Sequence, residues 1–344
     1  MKFALNFFCL LFLTSRLTPA KDDPRCIDFT YLKGKIIFDV LLDSIKHKAL
    51  LNTGTYSSSI HIVIPPTSQS KNRTKAVSGY FNLREPDFKE VEVDADLRCF
   101  FSEHQRFASI GLNEIYNNRG VHHLCFEKQR ICFYSNDVPH DLYNNFSEVK
   151  SKFSDKGLIL YITIRKKQYQ VIFDTSYNGT FLLPLNSKLP FYSDFNFKYE
   201  VRTKDTDHIE ILYPNKSIKF NEFNYNASIV LADTKTGRVG LNFLRAFDWL
   251  IDTKNRKVFA RKNTICIDEK YQTNVTLPIM HKLYVIRKVQ SLTQIKLGDE
   301  IQSVGGVKVG AENICYLFEL LNNTRDWNKL NLVVERPSKD LQIN

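Results

Sequence analysis

Apolar and polar positions alternate along most of the chain in blocks too short for long helices. KIIFDVLL (35–42) and KALL (48–51) flank the charged stretch DSIKH, while LILYITI (158–164) and QVIF (170–173) flank RKKQY. Each set predicts two strands joined by a charged turn. Setting Asp174 over Asn52 lays FDVLLDSIKHKALLNTG on LYITIRKKQYQVIFDTS without a gap, at an offset of 122 residues. Both hairpins therefore run into a small polar triplet, Asn52-Thr53-Gly54 in one and Asp174-Thr175-Ser176 in the other.

A second pair of segments follows in the same order. Ile110-Gly111-Leu112-Asn113 matches Val239-Gly240-Leu241-Asn242, and HLCFEKQRICF (123–133) matches WLIDTKNRKVF (249–259). Short helices are predicted in between, within EIYNNRGV and NFLRAFDW. A recurring order of this kind predicts two homologous β-rich units. They span 26–133 and 156–262, and the polar segment 134–155 reads as a linker without fixed structure.

The chain from 270 to 337 has a different rhythm. Strand-like LYVIRKV precedes the turn of Gly305-Gly306, and Ile314, Leu317, Phe318 and Leu321 then recur at helical spacing before LNLVVERP closes as a strand. This predicts a small αβ unit. The fold class read from the pattern is mainly β: two related lobes and a C-terminal αβ domain.

Composition changes the picture modestly. The formal charge is +11, but the basic residues are scattered. No zinc finger, helix-turn-helix or stacking module accompanies them, so specific nucleic-acid binding is not expected. Residues 1–20 have a cationic start, an apolar stretch from Phe3 to Leu13 and a small residue at Ala20. They read as a secretory signal peptide, and its removal would lower the charge to +9 by taking Lys2 and Arg16. The expected location is exported, periplasmic or extracellular, and no later segment has the length and apolarity of a transmembrane anchor. Cys26, Cys99, Cys125, Cys132, Cys266 and Cys315 would remain. An even count in an oxidising compartment predicts disulfides, with Cys125–Cys132 a candidate to close the hairpin around FEKQRI. Their irregular spacing, with His122 and His123 not at ligand distance from a second pair, gives no metal site. No cofactor is implied, and the histidines read as surface or packing residues. Sequons at Asn72, Asn145, Asn178, Asn215, Asn226, Asn274 and Asn322 would accept glycans only in a glycosylating host.

The paired triplets and glycine motifs resemble those of the aspartic peptidase family, in its pepsin-like or retroviral-type form, over roughly 240 residues. That resemblance implies two lobes around a cleft, with one acidic loop from each lobe. Asp174 takes one catalytic position and Asn52 stands, as a degenerate partner, where the family has its second aspartate. Thr53 and Thr175 match the threonines that cross-link the loops. Gly54 keeps the loop glycine, Ser176 replaces its counterpart, and Gly111 and Gly240 match the later glycine motifs. The family's flap is best placed at 75–93, with Gly79 in its turn and Tyr80 or Phe81 over a bound peptide, the other reading of that stretch being an ordinary exposed hairpin. An aspartic dyad works by sharing one proton between two carboxyls. An amide cannot hold that proton. The implied function is binding of extended peptides or unfolded protein segments with impaired hydrolysis. The alternative is an active endopeptidase in which Asn52 positions water for Asp174. The last unit resembles a bacterial-type PDZ domain through LGDEI…VGG, which implies a protein partner or a structural cap.

Overall fold

A computed structural model of the protein describes residues 25–32, 34–42, 45–62, 76–77, 89–92, 99, 106–135, 138–190, 196–203, 206–266, 274–279 and 281–336. The leader 1–20 and the flap residues Gly79, Tyr80 and Phe81 lie outside them. The protein is mainly β, with 55% strand and two large sheets.

The first part contains β1 (Arg25–Leu32), β2 (Lys35–Leu42), β3 (Ile45–Leu51), β4 (Ser59–Ile62), β5 (Ala76–Val77), β6 (Lys89–Glu92), β7 (Arg106–Ile110), α1 (Leu112–Asn117), β8 (Val121–Cys125) and β9 (Arg130–Tyr134). The second contains β10 (Ser147–Val149), β11 (Ser151–Ser154), β12 (Gly157–Ile164), β13 (Lys167–Asp174), β14 (Phe181–Pro184), β15 (Phe197–Thr203), β16 (Thr206–Phe220), β17 (Phe223–Ala232), β18 (Gly237–Gly240), α2 (Leu241–Leu244), β19 (Phe247–Asp252) and β20 (Lys257–Lys262). The remainder is β21 (Val275–Ile279), β22 (Lys282–Val289), β23 (Glu300–Val304), β24 (Val307–Lys308), α3 (Ile314–Asn323) and β25 (Leu332–Glu335).

The predicted hairpins are β2–β3 and β12–β13. The latter turns through Arg165 and Lys166, both at positive φ, as a two-residue hairpin matched to strand twist requires. Strand pairing repeats between the parts. β3 lies parallel to β7, which is antiparallel to β4, which is parallel to β6. Likewise β13 lies parallel to β18, which is antiparallel to β14, which is parallel to β17. A shared run, β1–β9–β8–β19–β20–β10, joins them and keeps its order when the two parts are exchanged. Its central seam pairs Leu124 with Trp249 and His123 with Leu250. Trp249 is fully buried and meets Phe173 edge-on at 5.0 Å. One apolar cluster runs through both parts, from Phe29 and Leu51 to Phe173 and Trp249.

Two expectations are corrected. Segment 134–155 is not structureless: it supplies β10, paired with β20, and β11, paired with β12. Cys125 is not bridged to Cys132. In the β8–β9 hairpin Cys125 faces Arg130, while Cys132 faces His123, so the register separates the sulfurs. Cys132 is instead bonded to Cys26, its partner across β1–β9, and Cys99 to Cys315. Cys125 and Cys266 are free.

The C-terminal unit has its own core, including Leu283, Ile301, Leu317, Leu321 and Trp327. Ile314, Leu317, Phe318 and Leu321 all face it from α3, as their spacing predicts. The unit does not stand apart. β15 pairs with β22 through Tyr199–Val289 and Glu200–Lys288, and the Cys99–Cys315 bond ties α3 to the first part.

Candidate functional site

Asn52 follows the last residue of β3 and Asp174 is the last residue of β13. Each loop therefore emerges where a parallel strand pair ends, beside Ile110 in one case and Gly240 in the other. The glycine motifs follow from packing. A Cβ on Gly111 would overlap the carbonyls of Tyr56 and Ser57, and one on Gly240 those of Tyr177 and Gly179. Backbone bonds then hold each loop to the helix after its glycine. Leu112 N–H donates to Thr55 O at 2.9 Å and Asn113 N–H to Tyr56 O at 2.8 Å. Their counterparts are Leu241 N–H to Tyr177 O at 2.7 Å and Asn242 N–H to Gly179 O at 3.3 Å.

The two loops meet through their threonines, both completely buried. Thr53 N–H donates to Thr175 Oγ1 at 3.1 Å, and Thr175 N–H donates to Thr53 Oγ1 at 3.0 Å. Thr53 Oγ1 donates to Phe173 O, and Thr175 Oγ1 donates to Leu51 O, each at 2.8 Å. Every bond has its counterpart with the loops exchanged. Lys35 adds a contact across the junction, donating to Ser176 O at 2.7 Å.

The residues beside this lock are not equivalent. Asp174 has no solvent exposure. Its Oδ1 accepts from Ser176 N–H at 2.9 Å, Ser176 Oγ at 2.7 Å and Tyr177 N–H at 3.2 Å. Its Oδ2 accepts from Arg238 Nη1 at 2.8 Å, a charge-assisted pair. Gly54 packs so closely that a Cβ there would overlap the Asp174 carboxyl. Asn52 Oδ1 is buried with no hydrogen-bond partner, and no hydrogen bond links Asn52 to Asp174 among the described residues. The carboxylate is held instead by Ser176, Tyr177 N–H and Arg238.

Arg238 was missed in the sequence, although a signal was present. It occupies the first position of Arg238-Val239-Gly240 and interrupts an apolar strand with a charge. The arrangement fixes two loops, leaves the buried Asn52 amide oxygen unpartnered and keeps the Arg238 guanidinium partly exposed. With both carboxylate oxygens engaged and the carboxyl sealed from solvent, Asp174 is poorly placed to take a proton from water.

The C-terminal unit carries a closed junction rather than an open groove between α3 and β21. Thr276 N–H donates to Asn322 Oδ1 at 2.9 Å, and both residues are buried. A peptide could not pair with that N–H without displacing the Asn322 side chain. No helix of the described residues is long and apolar enough to cross a membrane. No family model and no curated protein matches the chain.

Proposed function

We propose that the protein is aspartic-peptidase-like, with two lobes whose facing loops bind extended peptides without hydrolysing them. The observation that carries this reading is the reciprocal Thr53–Thr175 hydrogen-bond lock between two loops that end equivalent strands. Loss of catalysis follows from the acids. Asn52 has no titratable proton to share, and the buried Asp174 carboxylate is paired with the partly exposed Arg238. The same ion pair weighs against an active enzyme built on Asp174 and an Asn52-positioned water. The buried Asn52 Oδ1 has no partner, an unmet acceptor that a ligand N–H reaching into the loop junction would satisfy.

In this proposal the last unit is a PDZ-like structural cap. The Asn322–Thr276 bond, the β15–β22 pairing and the Cys99–Cys315 bond favour docking over a free recognition groove. The protein is exported, and its disulfides fit an oxidising compartment. Photo-crosslinking with a library of extended peptides tests the binding site. Label should map to 52–58 and 174–180 with the peptides intact. Label confined to other surfaces, or no saturable labelling, would overturn the proposal.

A further inference from the structure

The sheet that joins the two parts carries a second polar cluster, which the reading above does not use. His123 and Cys125 are two residues apart on β8 and so project from one face. The β8–β19 register, Leu124 opposite Trp249, brings Asp248 abreast of Cys125. A ring nitrogen of His123, Cys125 Sγ and an Asp248 carboxylate oxygen all lie within 4.8 Å of one another. Cys125 Sγ and Asp248 Oδ2 are 3.6 Å apart, already at the edge-to-edge spacing of two ligands on one ion.

Two observations distinguish the cluster from ordinary packing. His123 Nε2 is buried and has no hydrogen-bond partner, a condition that native interiors rarely leave unresolved. Cys125 also remains a buried free thiol in a chain that oxidises four other cysteines. Asp248, meanwhile, is held like an oriented ligand. Its Oδ1 accepts from Phe126 N–H at 2.9 Å, Glu127 N–H at 3.4 Å and Asn263 Nδ2 at 3.2 Å. Arg261 Nη2 donates to Oδ2 at 2.8 Å, leaving that oxygen's other lone pair facing the thiol. Such supporting bonds fix the ligands of metal sites.

We propose that His123, Cys125 and Asp248 bind a zinc-class divalent cation across the seam between the two parts. Imidazole, thiolate and carboxylate together suit zinc, and three protein ligands leave a fourth position for water. Binding replaces the S–H···Oδ2 contact with S–M–O: the metal–sulfur bond forms, the S–H bond breaks, and one proton passes to solvent. Arg261 stays on the outer side of Asp248 and offsets part of the ligand charge. The site clamps β8 to β19, so it stabilises the pairing of the parts without taking part in peptide binding.

The test titrates Co2+ into the metal-stripped full-length exported chain, with both disulfides intact. One equivalent should bind, give a thiolate-to-cobalt charge-transfer band, and be displaced by Zn2+. His123→Ala should weaken Co2+ binding at least about tenfold; Cys125→Ser should abolish the band, and Cys266→Ser should leave it unchanged. Because Cys125 is buried and its replacement can unfold the sheet, X-ray absorption on wild type gives a variant-free readout. It should show one sulfur at about 2.3 Å and lighter ligands at about 2.0–2.2 Å from the bound zinc. The proposal is overturned by no cobalt band in wild type or a band that survives Cys125→Ser. It is equally overturned by unchanged affinity in His123→Ala, or by a Cys125–Cys266 disulfide in peptide maps of the non-reduced protein.

Discussion

Removing the hydroxyls of Thr53 and Thr175 should unlock the two loops in a measurable and non-additive way. Valine keeps the β-branched shape and deletes only the polar atom. Thr53→Val removes the bond that Thr53 Oγ1 donates to Phe173 O and the one it accepts from Thr175 N–H. Thr175→Val removes the equivalent bonds to Leu51 O and Thr53 N–H. Both sites are completely buried, so the deserted backbone groups find no water. A buried group left unsatisfied costs about 1–3 kcal/mol. Two such groups per substitution predict a loss of roughly 2–6 kcal/mol for each single variant. The hydroxyls also contact one another at 3.3 Å. That shared contact is lost once, not twice, so the double variant should fall short of the summed losses by about 0.5–1 kcal/mol. Urea unfolding followed by circular dichroism, with an unchanged m-value, gives the three differences. Thr→Ser at either site should retain most of the stability. Single-variant losses below about 0.5 kcal/mol, typical of surface positions, would refute the lock, as would strict additivity.

Three other expectations can be checked on the same protein. Arg238→Met leaves the buried Asp174 Oδ2 without its partner and should cost roughly 1–3 kcal/mol in urea unfolding, less than a fully buried pair because Arg238 is 40% exposed; an unchanged midpoint would refute the ion pair's role. Burial holds His122 down to about 4 from its ordinary 6.5, so the unfolded chain binds the proton first. Its contribution is complete above about pH 6.5 and declines as pH falls towards 4, by roughly 3 kcal/mol, and His122→Gln should flatten that acid limb. In a glycosylating host, glycopeptide mapping should find glycans at the exposed Asn145, Asn215 and Asn226 and none at Asn274 or Asn322, which are 1% and 7% exposed; a glycan on either buried asparagine would contradict the packing around β21.

Much of the fold was legible because its signals are local. The hairpins at 38–54 and 160–176 follow from alternating residues around charged turns, and α3 from four apolar residues on one face. Gly111 and Gly240 were legible as motifs, but their cause lies in loop carbonyls dozens of residues away. Strands β10 and β11 were hidden because they are three and four residues long and mostly polar. Cysteine pairing depends on contacts across 106 and 216 residues, which spacing alone does not encode. At the candidate site, Asn52 and Asp174 stood out by chemistry. Arg238 did not, because its importance comes from the parallel β13–β18 register that brings it within reach of Asp174. The cluster of His123, Cys125 and Asp248 was concealed for the same reason: its third member comes from another strand.

The central claim is that the paired loops bind peptides while the chemistry of hydrolysis is absent. The most direct measurement incubates a broad peptide library with the wild-type protein from acidic to neutral pH and follows cleavage by mass spectrometry. Wild type should leave the library intact. Combining Asn52→Asp, Ser176→Gly and Arg238→Leu restores a second carboxyl, the loop glycine and an uncharged neighbour, and this variant should begin to cut at mildly acidic pH. Efficient cleavage by wild type that disappears in Asp174→Ala would contradict the account.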